Sequence, residues 1–147
     1  MRAVVLSLIL LLAVGVMHAA KEETVDDLKA RLPNASAENR AEISLRIAQL
    51  QLHAADKFYV EGHVEPARDA VADVADYCEK ARDAALQSKK HLKTVEIDSR
   101  KMADKLRDIK RTLNFEDQPA VDQAIRRLEE IRTSLLKEMF SDKKEKK

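Results

Sequence analysis

The chain has no tryptophan, two tyrosines, three phenylalanines, three prolines, two glycines and one cysteine in 147 residues. Each shortage excludes something. One cysteine cannot build an internal disulfide framework, so packing must hold the fold together. With only Gly15 and Gly62, there is no glycine-rich phosphate loop and no Gly-x-Ser-x-Gly nucleophile turn. No Cys-x-x-Cys-His haem motif and no His-Glu-x-x-His is present. Charge of one sign is missing too: 27 Lys and Arg stand against 26 Asp and Glu, a formal net charge of +1. Residues 21–78 are acidic and residues 79–111 basic. The basic stretch is interrupted by acids and lacks interleaved aromatics, so no nucleic-acid partner is expected. What remains, rich in Ala, Leu, Glu, Lys and Arg, is the composition of a helical bundle.

The one long uncharged run lies at the start. Arg2 is followed by Ala3 to Val16, in which Ser7 is the only polar residue. That run is shorter than the roughly 20 residues a transmembrane helix needs. It has the form of a signal-peptide core, and Val16-Met17-His18-Ala19-Ala20 supplies small residues for cleavage after Ala19 or Ala20. The expectation is export to a periplasmic or extracellular space, with residues 1–20 removed and no stable membrane span afterwards.

Residues 21–140 are expected to form a single helical domain. Thr24-Val25-Asp26-Asp27 reads as a capping box opening a helix at about 25–32, which Leu32-Pro33 stops. Ser36 caps a second helix at about 36–60, with Ile43, Ile47, Leu50, Ala54 and Phe58 on one line and Leu45, Leu52 and Tyr59 on another. Gly62 and Pro66 suit a turn and a first helical position. From Ala67 to Leu113 apolar residues then recur at alternating steps of four and three, with only Ser88 and Ser99 polar. Such a heptad seam predicts one continuous helix over about 66–113, about 70 Å long. Asn114 to Gln118 breaks it, and a last helix follows at about 119–140. Residues 141–147 are expected to be a charged, disordered tail.

The fold class expected is therefore all-α: an elongated antiparallel helical hairpin or three-helix bundle built on one long central helix. The helix before it should cover its small-residue half, and the helix after it the half carrying Leu92, Met102, Leu106 and Ile109. The alternative is a compact three-helix bundle with the long helix broken near Ser88. In the elongated form flanks of the seam stay exposed, which suggests a homodimer.

Ala55, Phe58, Gly62 and Ala67 follow the order of small residue, aromatic, glycine and alanine in a tetratricopeptide repeat. Residues 43–80 thus resemble a single such hairpin, which implies a close-packed helix pair and protein binding. The proline that closes each repeat would fall near Glu79 and is absent. The whole chain also resembles uncharacterised exported bacterial helical proteins, which implies localisation but no activity.

No residue set points to catalysis, a cofactor or a metal. His53, His63 and His91 are scattered, and the carboxylates have Lys or Arg three or four residues away. Cys78 lies on the seam, where it is either a small buried hydrophobe or the site of an intermolecular disulfide across a dimer. Phe58, Tyr59, His63, Val64 and Tyr77 are the candidates for a protein-binding hairpin tip. The expected function is that of a non-enzymatic, exported interaction or scaffold protein acting through helix-to-helix contact. The alternative is a small periplasmic chaperone that holds unfolded clients.

Overall fold

The structure, a computed structural model, describes residues 23–145, with side chains as far as Ser141. The expected leader, residues 1–20, lies outside the described residues. Five α-helices account for nearly all of the rest: α1 (Val25–Arg31), α2 (Ala37–Val60), α3 (Val64–Ser88), α4 (Leu92–Thr112) and α5 (Gln118–Glu145). Short 3₁₀ turns at Leu32–Asn34 and Phe115–Asp117 link α1 to α2 and α4 to α5. Among the described residues there is no strand, and no helix is long and apolar enough to cross a membrane.

The helix starts obey local chemistry. The Thr24 hydroxyl accepts from the Asp27 N–H while the Asp27 carboxylate accepts from the Thr24 N–H, a complete capping box. Ser36 caps α2 by accepting from the Asn39 N–H. α2 ends in a Schellman closure: the His63 N–H donates to the Phe58 carbonyl (2.8 Å) and the Gly62 N–H to the Tyr59 carbonyl (3.1 Å). Gly62 supplies the left-handed φ of +80° that this closure requires. α3 begins at Val64, so Pro66 falls within the first turn, where its missing N–H costs no helical bond.

The long central helix is not continuous. α3 stops at Ser88, and Lys89-Lys90-His91 turns the chain back into α4. Neither glycine nor proline marks the break. Lys89 and His91 themselves take left-handed φ values of 56° and 61°. Such a conformation costs an L-residue about 1–2 kcal/mol. Ser88 supplies the local stop. Its hydroxyl donates to the Ala84 carbonyl (2.9 Å) and accepts from the Lys90 N–H (3.2 Å). The expected tail is also corrected at its start: the helical backbone runs past Phe140 to Glu145.

Breaking the helix makes a compact bundle instead of a rod. Cross-helix bonds set the directions. Arg40 reaches Gln87 across the α2–α3 hairpin (2.7 Å). Arg132 reaches Glu96 (2.8 Å) and Lys110 reaches Asp122 (2.7 Å) across α4–α5. Arg127 of α5 bridges to Asp76 and Glu79 of α3 at 2.6 and 2.8 Å. The helices α2 to α5 therefore run alternately up and down, with α5 parallel to α3. As expected, α2 packs on α3 and α5 on α4; α5 also packs on α3, which folding back alone allows. Two polar pairs join α2 to α4, Asp56 with Lys105 (2.8 Å) and Gln49 with Asp98 (3.5 Å).

One continuous core results. α3 lies at its centre, burying Ala67, Val71, Val74, Cys78, Ala81 and Ala85 from the expected seam. The second half of that seam is buried as Val95, Ser99, Met102, Leu106 and Ile109. α2, α4 and α5 all pack against α3, so the seam there has neighbours within the chain on more than one side.

Candidate functional site

Alternating directions bring the Gly62 turn and the Phe115 turn to the same end of the bundle. Arg68 of α3 and Asp117, just before α5, join the two turns by an ion pair of 3.0 Å. This end carries two large apolar side chains that the fold does not cover: Val60 is 84% exposed and Phe115 86%. A cleft of about 390 Å³ opens between the ends of α2 and α4, with Tyr59, Val60, Ile109 and Leu113 in its lining. The Asp56–Lys105 pair also lines it. Phe115 follows Leu113 by two residues, so aromatic, aliphatic and cleft surfaces are contiguous in the chain.

Tyr59 is the polar feature of this cleft. It is half-buried and packs against the core, while its hydroxyl oxygen is buried without a hydrogen-bond partner among the described residues. Burial is the main reason its phenol is pushed above the ordinary tyrosine range; Arg68 opposes that shift, and Asp117 and Glu65 add to it. The phenol thus stays a neutral hydrogen-bonding group.

The five residues expected to form the tip separate into three roles. Tyr59 lines the cleft. Phe58 and His63 belong to the turn, because the two positions that close a Schellman motif are the ones whose side chains meet. Their ring centroids are 6.3 Å apart. His63 is exposed, with Nδ1 3.5 Å from Glu61. Val64 is half-buried as the first residue of α3. Tyr77 is not at this end. It is 13 residues further along α3, about 20 Å at the helical rise. There it is 7% exposed, with Lys80 Nζ 4.1 Å and Lys29 Nζ 5.4 Å from its ring centroid. It packs under α1 as a structural aromatic with two cations on its ring.

Cys78 is corrected as a disulfide candidate. Its side chain is 0% exposed, with Sγ 3.9 Å from Met102 Sδ of α4. A second chain cannot reach it without opening the bundle. Desolvation by burial pushes its thiol up to about 12, so it is neither a thiolate nor a nucleophile near neutral pH.

Among the described residues no group of three or more His, Cys, Asp or Glu side chains is arranged to hold a metal ion. A second concavity of about 430 Å³ lies toward the opposite end, by Leu32, Pro33 and Arg40. Arg40 is already bonded to Gln87, and no exposed large apolar side chain flanks it.

Sequence reasoning missed Val60 and Phe115, the two most exposed large apolar groups among the described residues. A signal existed for Phe115, an aromatic in an otherwise polar helix break. Val60 gave none, since exposure at a helix end depends on which neighbour covers it. No protein-family model, no curated protein and no solved structure matches the chain.

Proposed function

We propose that this is a non-enzymatic, exported helical module that binds another protein through the end carrying the two turns. The observation that carries the reading is the presence at one end of Val60 and Phe115, both more than four-fifths exposed, with a cleft of mixed polar and apolar lining beside Val60. Apolar side chains at the centre of a polar-rimmed patch are the usual anchors of a protein interface. Asp108, Arg111, Glu116 and Glu61 supply such a rim. The unbonded Tyr59 hydroxyl gives a partner a directional contact inside the cleft. The leader pattern in residues 1–20 supports export.

The test is site-specific photocrosslinking in the native compartment. A photoreactive residue at position 115 should capture a defined partner, and one at the exposed position 130 on α5 should not. Val60→Asp should remove the product. If both positions capture the same set, or Val60→Asp changes nothing, the end is not the interface. If position 115 captures many unrelated unfolded chains and the protein suppresses their aggregation, it acts as a holding chaperone instead.

A further inference from the structure

The opposite end of the bundle has a different chemistry. Phe140, on α5, is 61% exposed, the third large apolar side chain that the described fold leaves uncovered. Residues three and four apart share a helix face. Leu136 and Lys137 precede Phe140 by four and three residues on its helix face, and in the sequence Lys143 and Lys144 follow at the same spacings. No acid falls at any of these positions. Glu138 falls two residues before Phe140, on the other side of the helix. The Glu138 side chain is paired with Lys89 of the α3–α4 turn.

That pair brings a second set of cations to the same end. Lys89-Lys90-His91 turns the chain beside α5, and Lys90 and Lys93 are exposed. The acids of α2 here, Glu38 and Glu42, lie 3.5 and 3.3 Å from His91 Nε2. Lys146 and Lys147 extend the basic run in the sequence. Lysines in a last helical turn are stabilised by the helix dipole. The dipole explains neither an exposed phenylalanine among them nor the lysines contributed by a different turn.

We propose that this end docks on an anionic phospholipid bilayer, with Phe140 seated at headgroup depth and the lysines of α5 and of the α3–α4 turn against the lipid charge. A basic helix face with an embedded aromatic is the composition of segments that lie in the membrane interface. No described helix can span a bilayer, so the contact is peripheral. The proposal is independent of the protein-binding end: membrane contact at one pole leaves the end carrying Val60 and Phe115 facing away from the surface.

The absence of tryptophan provides the test. In the full chain, Phe140→Trp introduces a single indole at the proposed contact, and Phe115→Trp introduces one at the far pole. Vesicles of equal parts phosphatidylglycerol and phosphatidylcholine should shift the emission of the first to shorter wavelength and leave the second unchanged. Phosphatidylcholine vesicles report what the leader contributes by itself. In co-sedimentation, Lys143→Gln with Lys144→Gln should weaken binding to the anionic vesicles by about 25-fold, at about fivefold for each lysine removed. Lys90→Glu with Lys93→Glu, on a separate element, should act in the same direction. Added salt should weaken the wild type. The proposal is overturned by an equal emission shift at both poles, by equal binding to neutral and anionic vesicles, or by lysine variants that bind as the wild type does. It is also overturned if a DNA duplex of arbitrary sequence binds as tightly as the vesicles and loses affinity in the same variants, for the end would then be a general polyanion site.

Discussion

The two hairpins of the bundle are held together by opposite means. In α2 and α3, alanines take about half of the buried positions, beside Ile47, Val71 and Val74. Ala41, Ala48 and Ala55 recur every seven residues on α2 and are fully buried, as are Ala67, Ala75, Ala81 and Ala85 on α3. The α2–α3 contact is the most extensive between any two helices of the bundle. In α4–α5 the contact is made of large aliphatics: Met102, Leu106 and Ile109 against Val121, Leu128, Ile131 and Leu135. The first hairpin gains from close backbone approach and many dispersion contacts, the second from apolar area removed from water. Each is therefore vulnerable to the opposite change: the alanine seam to added volume, the aliphatic seam to lost volume.

The largest expected effect comes from emptying the aliphatic seam. Leu128→Ala removes a fully buried side chain and should destabilise the fold by about 3 kcal/mol, read from urea unfolding. Filling the alanine seam comes next. Ala48→Leu should cost about 2 kcal/mol, because two helices in contact must move apart. If Ala48→Leu is tolerated while Leu128→Ala is not, the hairpins do not differ in the way described. The joint between the hairpins should respond in the other direction. Lys89→Gly relieves a left-handed backbone and should raise stability by about 0.5–1 kcal/mol despite loss of the Glu138 pair. A loss would mean that the pair outweighs the backbone cost.

The smallest effect lies in the α3–α5 contact that ties the hairpins together. Hydrogen bonds from Arg127 hold the Glu79 carboxyl below the usual carboxylate range. A depressed folded pKa gives stability that is present above the unfolded value, about 4.3, and lost as pH falls through the folded value. Both side chains are partly exposed, so the contribution is small, roughly 0.5 kcal/mol. Thermal melts of Arg127→Met against the wild type should differ at pH 7 and converge as acid protonates Glu79. A constant difference down to strong acid would assign the role of Arg127 to packing instead.

Much of this fold is legible along the chain. Capping chemistry is local, so Thr24, Ser36 and Gly62 mark helix ends wherever the chain goes. The heptad seam names the buried face of α3 and α4 nearly residue by residue, because burial repeats with the helical period. The alanine stripe of α2 was harder to see. Apolar periodicity is carried most strongly by large side chains such as Ile43, Ile47 and Leu50, and of the alanines only Ala55 also stands in a motif. The candidate site was legible only in part. Tyr59 is legible as a helix-end aromatic and Tyr77 as a residue further along the next helix, but that the Phe115 turn shares an end with Tyr59 depends on where α4 and α5 pack.

The sequence by itself determined helices, caps and a buried face; only the tertiary structure decided that the face belongs to two helices instead of one. Ser88 and Leu92 keep the four-residue step, so the seam passes through the break in phase and carries no sign of it. A straight helix would avoid the left-handed backbone at Lys89 and His91. Folding back lets α5 pack on α3 as well as α4, so the seam of α3 has neighbours on more than one side. That gain comes from contacts between residues some fifty positions apart, such as Arg127 with Asp76 and Lys89 with Glu138. Contacts of that range leave no periodicity in a sequence. The same fold-back brings Val60 and Phe115 to one pole and Phe140 and its lysines to the other.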